Sequence, residues 1–87
     1  MINIDELKKK IIYRSNYRGT KEMDKLLGAF VKKYINNLSD DDLVKLEKLL
    51  DIDDANLYNL LNGLEVDAVI EKNNVTDLFK IFKYVEK

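Results

Sequence analysis

In the segment SNYRGTKEMDKLLGAF, residues 15–30, an arginine, a glycine and a glutamate stand together as Arg18, Gly19 and Glu22, with Asp24 two places on. These types at this spacing suit recognition rather than bond making. A guanidinium and a carboxylate form charge-assisted hydrogen bonds, and a glycine between them lets another backbone approach closely. Catalysis is poorly supplied, because histidine and cysteine are both absent. That removes thiolate nucleophiles, disulfides, the usual zinc sites and the commonest general base at neutral pH. No metal ligand set or catalytic residue is expected, and the residues assign no cofactor site. No glycine-rich dinucleotide fingerprint follows a strand pattern, so the usual kind of dinucleotide site is not expected.

Part of the segment is explained by the start of a helix. Gly19 or Thr20 can cap it, and Glu22 in its first turn complements the positive end of the helix dipole. Glu22 lies about 100° around the helix from Met23, away from the apolar stripe, so a partner can reach it. Arg18 lies outside the helix, and local structure does not require it. On these grounds Arg18, Gly19 and Glu22 can form an exposed polar contact patch, the alternative to a plain helix start, and Asp24 is counted with them as an expected partner-binding residue.

The elements that must carry this patch are helical. Ile4, Leu7 and Ile11 recur at helical spacing over 4–14, with Lys8, Lys9 and Lys10 opposite, before turn-favouring residues at 15–19. Met23, Leu26, Leu27, Phe30, Val31, Tyr34, Ile35 and Leu38 then follow at i, i+3, i+4, i+7, i+8, i+11, i+12 and i+15. Burying eight such side chains is worth on the order of 12–24 kcal/mol in gross transfer energy, far more than the internal Gly28 costs in propensity. Ser39 is placed to cap a third helix over 40–50, with Leu38 stapling to Leu43. Asp53 is placed to cap a fourth near 54–62, with Ile52 stapling to Leu57 and Gly63 as its left-handed stop. Residues 64–73 are weakly patterned, though VDAVIEK could hold one turn. Asn74 is expected to cap a last helix carrying Leu78, Ile81, Phe82 and Val85. Apolar residues nowhere alternate with period two for long enough to make a sheet. The expected fold is all-α, a bundle of about five short helices forming one domain over 1–87.

Charge is unevenly divided along the 87 residues. Positions 1–38 carry a net +5 and positions 39–87 a net −6, within an overall −1. Such bipolarity suits docking to another protein. The longest apolar runs are too short to span a membrane, and MINIDELKKK resembles neither a secretory signal nor a mitochondrial presequence. A cytoplasmic bacterial protein, or a processed one in the mitochondrial matrix, is expected.

The segment YRGTKEMDKLLGAF resembles the Arg-Gly-x-x-Glu signature of the succinate dehydrogenase FAD assembly factor family, the SdhE proteins of bacteria and their mitochondrial counterparts. The likeness extends through LSDDDLVKLEKLL and DIDDANLYNLL in the family's order, over roughly residues 10–62. The chain departs from common family residues at Leu60, where many members carry tryptophan, and at Ala29, where many carry proline. The resemblance implies a five-helix, non-enzymatic protein. It would bind the flavoprotein subunit of succinate dehydrogenase, or in some bacteria of fumarate reductase, and promote covalent attachment of FAD. FAD would be the client's cofactor. Arg18, Gly19 and Glu22 match the family's functional residues.

An alternative is a small adaptor or regulator that binds nucleic acid or another protein through a basic N-terminal half, using Lys8, Lys9, Lys10, Arg14, Arg18, Lys21 and Lys25. A solvated helical face accounts for most of these cations. Tyr13, Tyr17 and Tyr34 have the rings to stack on a flavin, but interior or rim packing is the plainer expectation for each.

Overall fold

Local capping chemistry divides the chain into five helices: α1 (Ile4–Asn16), α2 (Lys21–Tyr34), α3 (Asp40–Leu49), α4 (Asp54–Leu61) and α5 (Asn74–Ile81). They are seen in a computed structural model that describes residues 3–66, 70 and 72–82. Each helix begins at a side chain that accepts from an otherwise orphaned N–H: Asn3, Thr20, Ser39, Asp53 and Asn73. Gly63, at φ +69°, ends α4 in a Schellman turn, with the Leu64 N–H donating to the Asn59 carbonyl at 2.8 Å and the Gly63 N–H to that of Leu60 at 3.3 Å. No strand occurs among the described residues. The all-α, five-helix expectation holds.

Three details differ from the sequence reading. First, α1 continues to Asn16, two residues past the expected break. Ser15 is fully buried and donates its hydroxyl to the Ile12 carbonyl, and the Asn16 amide donates to the same carbonyl, so two turn-favouring residues are held inside the last turn. Second, α2 stops at Tyr34 although its apolar stripe runs on to Leu38. Ile35 is buried just past the helix end and Leu38 packs on the core from the following turn.

Third, Asn73 rather than Asn74 caps α5. Its side chain accepts from the Thr76 N–H at 3.0 Å, while its own N–H donates to the Thr76 hydroxyl at 2.9 Å. This reciprocal box selects Val75, Phe79 and Phe82 as the buried face and leaves Ile81 69% exposed. Residues 75–82 have apolar side chains on two helical faces, so periodicity alone could not choose between them. Val85 and most of the proposed turn in VDAVIEK lie outside the described residues.

One apolar cluster joins all five helices. Phe30 stands within it, fully buried. Its ring centroid is 5.1–5.3 Å from those of Tyr34, Phe79 and Phe82, in edge-to-face arrangements that fix α2 against the C-terminal helix. α1 packs against both α2 and α3. Gly28 is the close-approach point of the first pair, since a Cβ there would sit 2.5 Å from Asn16 Oδ1. The glycine inside α2 thus makes room for the end of α1.

Candidate functional site

The loop of residues 17–20 joins α1 to α2 and is held from three directions. From within, the Thr20 hydroxyl accepts the Met23 N–H at 3.4 Å and sets the entry to α2. From α2, the Asp24 carboxylate reaches back to accept the backbone N–H of Arg18. From across the molecule, the junction of α3 and α4 takes the Arg18 side chain: Nε–H donates to Asp54 Oδ1 at 2.9 Å, and the two Nη groups donate to the carbonyls of Leu50 and Ile52. Between these anchors Gly19 takes φ +117°, a backbone conformation open to glycine and strained for other residues.

The structure therefore does not present Arg18 as the exposed edge of a contact patch. Its side chain is only 11% exposed and is bonded inside the molecule. The expectation failed because the carboxylate that Arg18 uses is 36 positions away, beyond any local spacing rule. Asp24, half-buried, is likewise turned inward. Gly19 and Glu22 are exposed as expected, and no described residue holds the Glu22 carboxylate.

Arg18 is the last rung of a ladder. Along one edge of α1 and the loop, Lys10, Arg14 and Arg18 recur every fourth residue. They pair with Glu47 at 3.1 Å, Asp51 at 2.5 Å and Asp54 at 2.9 Å, so α1 and α3 run side by side in the same direction. Arg14 also donates to the Leu50 carbonyl at 3.3 Å, which puts two guanidinium groups on the C-terminal end of α3, where the helix dipole favours cations. Part of the charge bipolarity along the sequence is thus matched within the fold. The basic face of the adaptor alternative loses three of its seven cations to these acidic partners.

Exposed aromatic surface stands beside the loop. Tyr13 and Tyr17, one helical turn apart, are 66% and 70% exposed, with ring centroids 4.7 Å apart. The expectation of interior or rim packing holds for Tyr34, which lies half-buried against Phe30, but not for these two. Ile12 extends the apolar surface, and a groove between α1 and α2 continues it past Asn16, Asp24, Lys25 and Gly28. Exposed tyrosines next to a rigid polar loop are characteristic of protein docking surfaces. Periodicity could have found them, since positions 13 and 17 lie off the Leu7–Ile11 stripe.

No group of three or more acidic side chains that could hold a metal ion occurs among the described residues. No described helix is long and apolar enough to cross a membrane.

Comparison with known proteins gives the chain a family context. A family described as the flavinator of succinate dehydrogenase matches residues 9–83. The chain is 38% identical over 56 residues to a mitochondrial succinate dehydrogenase assembly factor 2 of Debaryomyces hansenii, covering 64% of this chain and 39% of that protein. It is 33% identical over 82 residues to the Dictyostelium discoideum protein of the same name, covering 93% of this chain and 55% of the relative. It is 31% identical over 61 residues to the FAD assembly factor SdhE of Acetobacter pasteurianus, covering 70% of this chain and 56% of that one. The chain thus spans about two fifths of the fungal relative and just over half of the other two. No solved structure matches it.

Proposed function

This chain belongs to the flavinator of succinate dehydrogenase family, and we propose that it acts as an assembly factor, docking on the flavoprotein subunit of succinate dehydrogenase to promote covalent attachment of FAD to it. The observation that carries this reading is the loop at 17–20. It is held by Asp24 and Asp54 and presents Gly19, next to the Tyr13–Tyr17 pair and to Glu22 in the first turn of α2, whose carboxylate no described residue holds.

Such a surface promotes a reaction without performing it. Covalent flavin attachment needs the client's nucleophile and the flavin held in reacting geometry, and positioning alone supplies several kcal/mol of a barrier, about 7 or more in favourable cases. A partner that binds the reactive conformation of the client more tightly than the others raises its population by that difference in affinity. Gly19 gives the client backbone close access, because among the described residues, its chain neighbours apart, nothing lies within 4 Å of where its Cβ would be. Glu22 offers a carboxylate to a cation or N–H of the client. Arg18 and Asp24 belong to the same patch through the shape they impose on it. FAD is the client's cofactor, and this chain contributes no group to the bond that forms.

The test is reconstitution of the apo-flavoprotein subunit with FAD and this protein, reading covalent flavin as fluorescence that survives denaturing electrophoresis. Wild-type protein should raise the yield over the unassisted reaction. Glu22→Ala should lower it while leaving the unfolding free energy within about 1 kcal/mol, as for an exposed acid in the first turn of a helix. Equal yields with wild type, with Glu22→Ala and with no added protein would refute the proposal.

A further inference from the structure

The Arg18 guanidinium is committed to the inside of the molecule. It fills one polar corner with three directed bonds, to the Asp54 carboxylate and the Leu50 and Ile52 carbonyls. Leu50 caps the C-terminal end of α3, where carbonyls lack helical partners, and Ile52 lies in the turn that follows. Withdrawing the guanidinium towards an outside partner would strip the Ile52 carbonyl and a partly shielded carboxylate of this donor and leave the Leu50 carbonyl to the longer bond from Arg14. Arg18 therefore acts on its own loop, which Asp24 grips from the opposite side by the Arg18 N–H.

The three rungs of the ladder are unequal. Lys10–Glu47 is exposed at its cation, 62%, and Arg14–Asp51 at its acid, 66%. Pairs this wet are worth little. At Arg18–Asp54 the side chains are 11% and 29% exposed, and the carboxylate meets Nε, whose single N–H points one way. Asp54 is the first residue of α4, so this rung ties the docking loop to the start of a helix remote in sequence.

Building on the docking reading above, we propose that Asp54 is a positioning residue of that surface: acting through Arg18, it sets the loop at 17–20 and with it the presentation of Gly19 and Glu22. The α3–α4 junction thereby takes part in client binding without touching the client.

Asp54→Ala is compared with Asp51→Ala, which removes an acid of equal charge from the same junction but from an exposed pair. Both are studied in the full chain at a temperature where circular dichroism shows each variant folded. Two readouts are taken: amide hydrogen exchange over residues 18–21, and the Kd for the flavoprotein subunit. Asp54→Ala should speed loop exchange and raise Kd by about tenfold each relative to Asp51→Ala, the effect of losing roughly one hydrogen bond to a charged group. Asp54→Asn, which keeps an oxygen for the Nε–H, should recover part of both. Arg18→Lys, which keeps the charge but loses the planar fork, should behave as Asp54→Ala. Loop exchange in Asp54→Ala no faster than in Asp51→Ala overturns the proposal, and so does a loosened loop with unchanged Kd. If the wild-type protein itself does not bind the flavoprotein subunit, the docking reading fails, and the exchange comparison still decides whether Asp54 sets the loop.

Discussion

Asp24 turns its carboxylate back from the first turn of α2 to accept the backbone N–H of Arg18, six positions earlier. Arg18 is thereby held twice, by its main chain to α2 and by its side chain to the α3–α4 junction, with acidic residues of unrelated elements on the two sides. The exposed groups of the motif, Gly19 and Glu22, follow directly after this doubly anchored residue. A loop fixed in advance spends less conformational entropy on binding than one that must order on contact.

Asp24→Ala removes the only side chain seen to accept that N–H among the described residues and leaves a partly buried donor unpaired. It should destabilise the protein by about 1–3 kcal/mol in urea unfolding. Asp24→Asn keeps the acceptor oxygen and should lose clearly less. Equal losses in the two variants would show that charge at the start of α2, rather than the loop contact, is what Asp24 provides.

Gly19→Ala separates backbone strain from crowding. Its chain neighbours apart, no described residue lies within 4 Å of the new Cβ, yet φ is +117°. Holding a non-glycine residue there should cost about 1–3 kcal/mol. The expected outcome is a lowered unfolding midpoint, or a rearranged loop visible as shifted amide resonances at 18–20. Wild-type stability together with an unmoved loop would contradict the assigned conformation.

Asp42 carries a pH signature. A hydrogen bond from the Asn74 side chain, helped by Ser39 and by Lys45 at 3.5 Å, holds its carboxyl below the ordinary aspartate value of about 3.8. A carboxyl whose pKa is lower in the folded than in the unfolded state stabilises the fold fully above its unfolded value. That contribution is lost as pH falls through the folded value. The stability difference between wild type and Asp42→Asn should therefore be constant from neutral pH down to about 5 and shrink steadily below about 4. A difference that persists undiminished at about pH 2 would rule out this origin.

Much of the fold was legible in the sequence because it is written in contacts between near neighbours. The Met23-to-Val31 stripe, the caps at Ser39 and Asp53 and the stop at Gly63 each depend on residues within a few positions of one another. Such signals survive without knowledge of the tertiary structure. Where neighbours offered two equivalent answers, the reading slipped. The apolar residues of α5 fit either face, and the choice of Val75 and Phe79 over Ile81 came from the Asn73–Thr76 box and from Phe30 waiting across the core.

Membership of the family was likewise visible in the chain, as the order Arg18-Gly19-x-x-Glu22 followed by LSDDD and DIDDANL. The use of each residue was not. Arg18 reads as an exposed cation until α3 and α4 bring Leu50, Ile52 and Asp54 to it from more than 30 positions away. A charge balance summed along the chain cannot show that Lys10, Arg14 and Arg18 meet their acids inside the same fold. The helices, many of their ends and the residues available for recognition could be read along the chain, since periodicity and capping are local. Which of those residues face outward was settled by the assembled fold, because a long polar side chain is drawn to the nearest unsatisfied partner in space, and distance in space is set by packing.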